Sequence, residues 1–395
     1  MSYRTSAELD VSMHSRWLML LVLFVARTAM ACQFQSVASS AASLVDALEI
    51  DFTSLGGLIG LYMLPGIFIA LPGGVLGQRF GAKPLFLMGL LLMAAGGAGM
   101  GASHSFQGLA VGRLVSGMGG VLVNVMAAKM IADWFANREI VTAMAVLVVS
   151  WPLGLALGLL MFAPVAASHS WNVVMYSTAF IALASLLLVA TAYRDPATVP
   201  TTQRTKLSVS LTKQEWLGVS LAGGIWMTYN VGYIVLVSFV PGLFATRGYT
   251  TSEAAWVVSF LGWMLIPAVP LAGSFAERVG RPNEVLLVSL LLSGLAAAFL
   301  PFAANPILPF GILAVVIGVP AGLIMAFPAQ SLRSNNRASG MGVYFTWYYI
   351  GMTVLPGVAG LTRDITASPS APALLSAAMM TAAVAGVATF RLSMR

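Results

Sequence analysis

Apolar residues occur along this chain in twelve long runs that are separated by short polar segments. A helix of about 20 apolar residues crosses a hydrocarbon core of about 30 Å, whereas a strand of a membrane barrel needs only about 10 residues. The pattern therefore predicts twelve membrane-spanning helices. Their expected ranges are 17–44, 54–76, 84–104, 107–133, 139–163, 171–193, 216–244, 253–276, 283–303, 307–332, 338–361 and 371–391.

The longest polar segment, 194–215, separates six of these runs from the other six. It is rich in Lys, Arg, Thr and Pro, which is typical of an exposed connection. The sequence thus predicts two six-helix bundles, residues 1–193 and 216–395, joined by a cytoplasmic linker at 194–215.

The composition places the chain among membrane proteins. Of its 395 residues, 59% are hydrophobic and only 8% are charged, compared with about 25% charged in soluble domains. Such a chain cannot cover its apolar surface in water, so we expect an all-α membrane protein. Residues 29–32 resemble a lipoprotein processing site, but Arg27 interrupts the apolar stretch before them, and we expect a retained first helix.

No residue pattern points to an enzyme. The single Cys32 excludes an internal disulfide and a cysteine-based metal cluster. The sequence has neither a phosphate-binding loop nor a nucleophile and base at a familiar spacing. We therefore expect no catalytic residue, no metal and no cofactor.

The basic residues predict the orientation of the helices, because Lys and Arg accumulate in cytoplasmic segments. Fifteen of the 20 Lys and Arg residues lie in the tails and in the loops on one side, whereas Arg247 and Arg363 alone lie in the loops on the other. Both termini are thus expected in the cytoplasm, with the chain crossing a bacterial-type inner (plasma) membrane. This bias accounts for most of the net charge of +7, so no nucleic-acid partner is expected.

A ten-residue segment is repeated. Residues Gly74 to Lys83, G-V-L-G-Q-R-F-G-A-K, reappear from Gly273 to Pro282 as G-S-F-A-E-R-V-G-R-P, a displacement of 199 positions. The same displacement relates Asn137-Arg138 to Asn336-Arg337. The chain is therefore interpreted as a duplicated six-helix unit.

Both copies of this loop resemble the signature G-x-x-x-D-R-x-G-R-R/K of the major facilitator superfamily. Residues Gly112 to Gly119 also resemble its fourth-helix pattern, R-x-x-x-G-x-G. The resemblance implies two bundles that rock about a central cavity and expose one site alternately to each side of the membrane. It further implies coupling or gating roles for a set of charged and amide residues: Gln78, Arg79, Arg113, Asp133, Glu277 and Arg278.

The two loop copies differ at the acidic position of the signature, which is Gln78 in the first and Glu277 in the second. An amide cannot neutralise Arg79, so the first loop lacks the charge cluster of the signature unless Asp133 at the end of the fourth helix supplies the carboxylate. Lys129 lies four residues before Asp133, and we expect these two residues to form a structural pair. Residues 133–139 and 150–154 also resemble the cyanate permease-like branch, a resemblance that does not specify a substrate.

Arg27 lies about ten residues into the first helix, near the middle of the bilayer. A charge at this depth costs about 2.5–3.5 kcal/mol. Each acidic residue falls in a tail, a loop or the end turn of a helix, so a small, monovalent anionic substrate is the expected counter-ion of Arg27. The alternative is a structural Arg27 bound to backbone carbonyls and water.

Further candidate contacts share a helical face with Arg27 or lie in other helices that line the implied cavity. Aromatic rings with polar edges can enclose a small ligand, although ordinary packing or an interfacial belt explains such residues equally well. The candidates are Phe34, Gln35, Asn124, Trp151, Tyr229, Asn230, Tyr233, Trp347 and Tyr348.

These observations predict a secondary active or facilitative transporter of a small anion, an organic carboxylate or an inorganic ion, that works as a monomer by alternating access. The absence of a central carboxylate disfavours carboxylate-based proton antiport. It leaves uniport, exchange against a counter-anion, or symport with a proton. The alternatives are efflux of amphipathic drugs or metabolites and, from another class, a membrane sensor or scaffold with a transporter-like body.

Overall fold

The computed structural model describes residues 6–135, 139–196, 211–333 and 336–394, and this part of the chain is helical. Polar or proline residues at the helix starts, such as the capping Ser105 and Ser170, set many of the boundaries. The helices are α1 Ser6–Ser39, α2 Ala41–Leu48, α3 Phe52–Leu61, α4 Leu64–Phe80, α5 Ala82–Ala102, α6 Phe106–Trp134, α7 Ile140–Ser168, α8 Trp171–Ala192, α9 Lys213–Ala245, α10 Thr251–Val279, α11 Pro282–Phe299, α12 Ile307–Val316, α13 Val319–Ile324, α14 Phe327–Ser331, α15 Arg337–Thr366 and α16 Ala371–Ser393, with a 3-10 turn at Leu300–Phe302.

Eleven spans in the described residues are long and apolar enough to cross a membrane. The twelfth predicted span is α15, which is 30 residues long but rich in Gly, Thr and Tyr. Successive spans run antiparallel and define two ends of the protein. We call the end with Phe80, Phe135 and Val279 the basic end, and the end with Phe52 and Thr366 the opposite end.

Three prolines divide predicted spans into shorter helices. A proline lacks an N–H donor, and its ring clashes with the carbonyl four residues earlier. In each case one helix ends at that earlier residue. The pairs are Leu61 with Pro65, Val316 with Pro320 and Ile324 with Pro328. The predicted first run is also divided, at Ser40, so its prediction as a single helix to residue 44 was wrong.

The two halves of the chain contact each other through α3 with α15 and through α7 with α10. Glycines permit the close approach. A methyl group at Gly56 or Gly60 would overlap the backbone carbonyl of Pro356 or Thr353, and one at Gly262 would lie 2.6 Å from the carbonyl oxygen of Pro152. These crossings bring α1, α6, α7 and α15 together around the middle of the protein.

Each half has a polar contact between equivalent helices at the basic end. In the first half, Arg16 of α1 lies 2.9 Å from Glu139, which precedes α7. In the second half, Glu215 of α9 lies 3.1 Å from Arg333 and accepts a further hydrogen bond from Asn336 at 2.9 Å. The Glu215 carboxylate raises the pKa of Arg333 by hydrogen bonding and charge attraction. In the first half the first helix carries the basic partner, Arg16, whereas in the second half the first helix carries the acidic partner, Glu215.

The linker predicted at 194–215 lies mostly outside the described residues. Its described end begins α9 with a capping box, in which the Thr212 hydroxyl accepts from the N–H of Glu215 and the Glu215 side chain accepts from the N–H of Thr212.

Candidate functional site

Arg27 lies in the middle of α1 and is half-buried. Its Nε donates to Oδ1 of Asn124 on α6 at 3.0 Å. Its Nη1 donates to Oγ of Ser150 and to the carbonyl of Leu147 on α7, both at 2.7 Å. Three helices of the first half therefore converge on one guanidinium group.

The local sequence of α7 explains why these acceptors are available. Pro152 cannot donate the helical hydrogen bond to the carbonyl of Val148, and Nη1 of Arg27 lies 3.5 Å from that oxygen. The Ser150 hydroxyl donates in turn to Leu147 at 2.6 Å, which orients its oxygen as an acceptor for Arg27. Pro152 and Ser150 thus make oxygen acceptors available on one side of an otherwise apolar helix.

All the acceptors of Arg27 are neutral. The ion pairs found in the described residues lie near the ends of the apolar spans, such as Lys129 with Asp133 at 2.7 Å, and none of them includes Arg27. Its Nη2 atom donates no hydrogen bond within this part of the chain. Within the described residues, this guanidinium is therefore solvated by dipoles, and its charge has no counter-ion.

The second half of the chain supplies the groups that face Arg27. The side chains of Tyr348 and Tyr349 on α15 lie near the guanidinium. The Tyr349 ring packs against Gly66, where a side chain would overlap it. The site around Arg27 is thus formed by both halves.

A cluster of aromatic rings adjoins these tyrosines. The indole of Trp226 on α9 lies at centroid distances of 5.8 Å from Tyr229, 6.2 Å from Tyr344 and 6.4 Å from Tyr348. Its Nε1 atom is buried without a hydrogen-bond partner. In the first half, Phe34 contacts Trp151 at 5.2 Å.

Arg113, in contrast, lies completely buried within the first bundle. It donates to three backbone carbonyls, those of Leu58 at 3.0 Å, Gln33 at 3.0 Å and Phe34 at 2.8 Å. This geometry joins α1, α3 and α6 and makes Arg113 a support for the helix that carries Arg27, without direct access to a ligand.

The other predicted contacts differ in their surroundings. Gln35 and Tyr233 are buried, and neither amide atom of Gln35 nor the Tyr233 hydroxyl has a hydrogen-bond partner. Tyr229 donates to the carbonyl of Ile317 at 2.7 Å, and Asn230 donates to the carbonyl of Trp226 in its own helix at 2.8 Å. The Tyr229 hydroxyl and the Asn230 amide thus form hydrogen bonds within the second bundle.

Trp347 lies away from these contacts. It packs against Gly223 of α9, and 40% of its surface is exposed. The structure therefore brings together Arg27, Asn124 and Tyr348 and leaves Trp347 apart from them.

The predicted gating residues are described only in part. The side chains of Gln78 and Glu277 lie outside the described residues. Asp133 pairs with Lys129, whereas Arg79 is exposed with its guanidinium 5.4 Å from the Phe80 ring, and Arg278 is exposed at the end of α10. The pair of Lys129 and Asp133 expected from the sequence is therefore present, and Asp133 does not supply a carboxylate to Arg79 in this conformation.

Sequence reasoning did not assign Ser150, Tyr349 or Trp226 to the site. One signal could have identified Trp226, as the counterpart of Arg27. The displacement of 199 positions that relates the repeated loops also relates Arg27 to Trp226 and Ser150 to Tyr349. The residues equivalent to Arg27 and Ser150 thus lie near the same centre in the second half.

Comparison with known proteins identifies the architecture. A family model described as Major Facilitator Superfamily matches residues 19–356 and 221–394. A solved structure of a bacterial homologue of the human lysosomal transporter Spinster, inward-facing and unoccupied, has a TM-score of 0.74, 16% sequence identity and 96% coverage of both chains.

Three relatives are transport proteins by name. The inner membrane transport protein YajR of Escherichia coli is 24% identical over 78% of this chain and 68% of its own length. The 3-(3-hydroxy-phenyl)propionate transporter of E. coli is 24% identical over 91% of this chain and 90% of its own length. The multidrug resistance protein MdtH of Aeromonas hydrophila is 24% identical over 80% of this chain and 79% of its own length.

Proposed function

Since this chain belongs to the Major Facilitator Superfamily and is a multi-pass membrane transporter rather than an enzyme, we propose that it carries a small anion, an organic carboxylate or a small inorganic ion. Arg27 is the anchor of that anion in a central site, which alternating access exposes to each side in turn. Asn124, Ser150 and Tyr348 surround the anchor.

The observation that carries this proposal is the uncompensated charge of Arg27. A guanidinium that is bound only by neutral acceptors between two bundles remains attractive to an anion. Its Nη2 donors are available for hydrogen bonds to a carboxylate or a similar planar anion, which are stronger than those between neutral groups. A relative named for the transport of 3-(3-hydroxy-phenyl)propionate, an organic acid, agrees with this chemistry.

The placement of the acidic residues supports a coupling mode that uses no central carboxylate. Each acidic side chain in the described part of the chain lies at a helix end or in a loop, such as Asp133 and Asp364. A proton that crosses with the anion is therefore bound to the substrate or crosses beside it. The transporter works as a uniporter, an exchanger or a symporter.

The contacts between the halves indicate the access route. Phe52 and Thr53 of α3 bind Asp364 of α15 at the opposite end, so access to Arg27 is proposed from the basic end. Because Lys and Arg accumulate on the cytoplasmic side, we place the basic end and both termini in the cytoplasm. We further propose that the protein acts as a monomer in an inner membrane.

Counterflow in proteoliposomes tests the proposal. Labelled carboxylates and inorganic anions are offered to the wild type, to Arg27→Gln and to Arg281→Gln, a matched control whose side chain is 68% exposed. We expect anion exchange by the wild type and the control and its loss in Arg27→Gln. Exchange of neutral or cationic compounds without exchange of anions would refute the proposed substrate class. Normal anion exchange by Arg27→Gln would refute the anchor.

Efflux of amphipathic compounds is the second candidate. The aromatic cluster around Trp226 favours it, because such rings bind apolar compounds of varied shape. The relative named as a multidrug resistance protein agrees with this alternative. The neutral and cationic compounds of the same counterflow experiment distinguish the two candidates.

A further inference from the structure

Equivalent positions in the two halves carry unlike groups at the centre of the protein. Each polar residue that surrounds the guanidinium in the first half has an apolar or aromatic counterpart in the second. The pairs are Arg27 with Trp226, Asn124 with Leu323 and Ser150 with Tyr349. The cation site is thus not duplicated, although the helices are.

In place of a second cation site, the second half has a cluster of aromatic rings around Trp226, of which Trp226 and Tyr348 are half-buried; we call these two rings the aromatic surface. The planes of Tyr229, Tyr344 and Tyr348 lie within 30°, 23° and 33° of the plane of Trp226. Such offset, nearly parallel rings are a favourable arrangement for aromatic groups, and a further ring can extend it.

Tyr348 connects this surface with the cation. Its ring contacts Trp226 at 6.4 Å, and its side chain lies near Arg27. Both Tyr348 and Trp226 are only half-buried, so the cluster is not sealed within the second bundle. The guanidinium and the aromatic surface therefore adjoin each other across the interface between the halves.

We infer that the substrate is a carboxylate that bears an aromatic ring. The carboxylate binds the Nη2 donors of Arg27 in the first half, and the ring lies against Trp226 and Tyr348 of the second. This inference rests on the proposed anion transport and makes it more specific. A ligand with these two ends contacts both halves at once, whereas an inorganic anion or a short aliphatic acid leaves the aromatic surface unused.

Competition in the counterflow assay tests this inference with two acids of similar size. Benzoate has a flat aromatic ring, and cyclohexanecarboxylate has a puckered saturated one. Aromatic pairing is worth about 0.5–1.5 kcal/mol beyond the burial of area, and 1.4 kcal/mol is a factor of ten in affinity. We expect benzoate to inhibit exchange at a concentration about three to ten times lower than cyclohexanecarboxylate.

Variants assign this preference to the aromatic surface. Trp226→Leu and Tyr348→Leu should each bring the ratio of the two inhibition constants close to one, whereas Trp226→Phe should retain it because a phenyl ring still stacks. Trp256→Leu is the matched control, since Trp256 is 59% exposed on α10 and its ring contacts Phe260. If Trp226→Leu does not fold, Tyr348→Leu provides the same comparison.

The outcomes separate this inference from the proposed function. Equal inhibition by both acids in the wild type, with exchange that still depends on Arg27, would overturn the aromatic substrate and leave anion transport intact. An aromatic preference that persists in Trp226→Leu and Tyr348→Leu would also overturn it. Failure of every carboxylate and inorganic anion to exchange would overturn the proposed function itself.

Discussion

The carboxylate of Asp364 accepts hydrogen bonds from both the backbone N–H and the hydroxyl of Thr53, at 2.7 Å and 2.6 Å. The two residues belong to different halves of the chain, since Asp364 ends α15 and Thr53 begins α3. The carboxylate also accepts from the N–H of Phe52 at 3.1 Å, and the guanidinium of Arg363 lies 3.5 Å from the Phe52 ring. A negative charge from one bundle thus caps the positive end of a helix in the other and closes the opposite end.

Asp364→Asn should shift the protein towards conformations that are open at the opposite end. A hydrogen bond to a charged group contributes about 1.5–3 kcal/mol, so the open population should rise about tenfold or more. Spin labels on cysteines at the exposed positions His104 and Ala304, one in each half, would measure this as a new component at longer distance.

Asp46→Asn is the matched control for that measurement. Asp46 is exposed on α2, near the same end of the protein. Identical distance distributions for Asp364→Asn, Asp46→Asn and the wild type would contradict a role for Asp364 in closing this end.

Asn124→Asp should abolish anion exchange without unfolding the protein. The new carboxylate would lie about 3.0 Å from Nε of Arg27, where Oδ1 of Asn124 lies now. A carboxylate of the protein neutralises the guanidinium and competes with the anionic substrate for it. Counterflow should therefore fall at least tenfold, while the melting temperature remains equal to that of the wild type or rises.

Ser150→Ala removes a different acceptor of Arg27 without adding a charge. It should raise the KM for the anion through poorer positioning of the guanidinium and leave exchange measurable. If Asn124→Asp exchanges anions as well as Ser150→Ala does, the charge of Arg27 is not used for binding.

Gly60→Ala should destabilise the contact between α3 and α15. Its methyl group would overlap the backbone carbonyl of Thr353, and overpacking of this kind costs about 1–3 kcal/mol. Gly57→Ala on the same helix meets open space and should be neutral or stabilising by up to about 1 kcal/mol. Melting temperatures in detergent should therefore differ by several degrees, with Gly60→Ala lower; equal values would argue against a tight crossing.

Glu215→Gln should lower the melting temperature more than Glu284→Gln. Glu215 accepts hydrogen bonds from Arg333, Asn336 and Thr212 and joins α9 to the segment before α15. Glu284 forms one ion pair with Arg281 in which both side chains are more than half exposed, and such surface pairs contribute little. If both variants melt at the same temperature, the Glu215 network does not stabilise the basic end.

Proline positions illustrate how far the sequence predicts local structure. Pro65, Pro320 and Pro328 end helices in the structure, whereas Pro152 lies inside the continuous helix α7. All four residues remove the same backbone donor. At Pro152, the guanidinium of Arg27 donates to the carbonyls of Leu147 and Val148, a contact that depends on the packing of α1 against α7.

The candidate site was predictable in part for a similar reason. A cation in the middle of an apolar run identifies Arg27 from one helix alone. Its acceptors Asn124 and Ser150 are 97 and 123 residues away, and their approach depends on how α1, α6 and α7 pack. Arg113 has the same side chain in an equally apolar helix, yet packing places it against the carbonyls of its own bundle.

The sequence by itself determined that this protein is a helical membrane protein built from a duplicated six-helix unit, because run length, composition and repetition are properties of the chain alone. It also identified Arg27 as a charge in need of a partner. Only the tertiary structure decided that no carboxylate of the described residues pairs with Arg27, and that Tyr348 and the aromatic surface lie near it. Helix packing makes that choice, since hydrogen bonds and ring contacts between distant segments depend on distances of a few ångströms that no local pattern records.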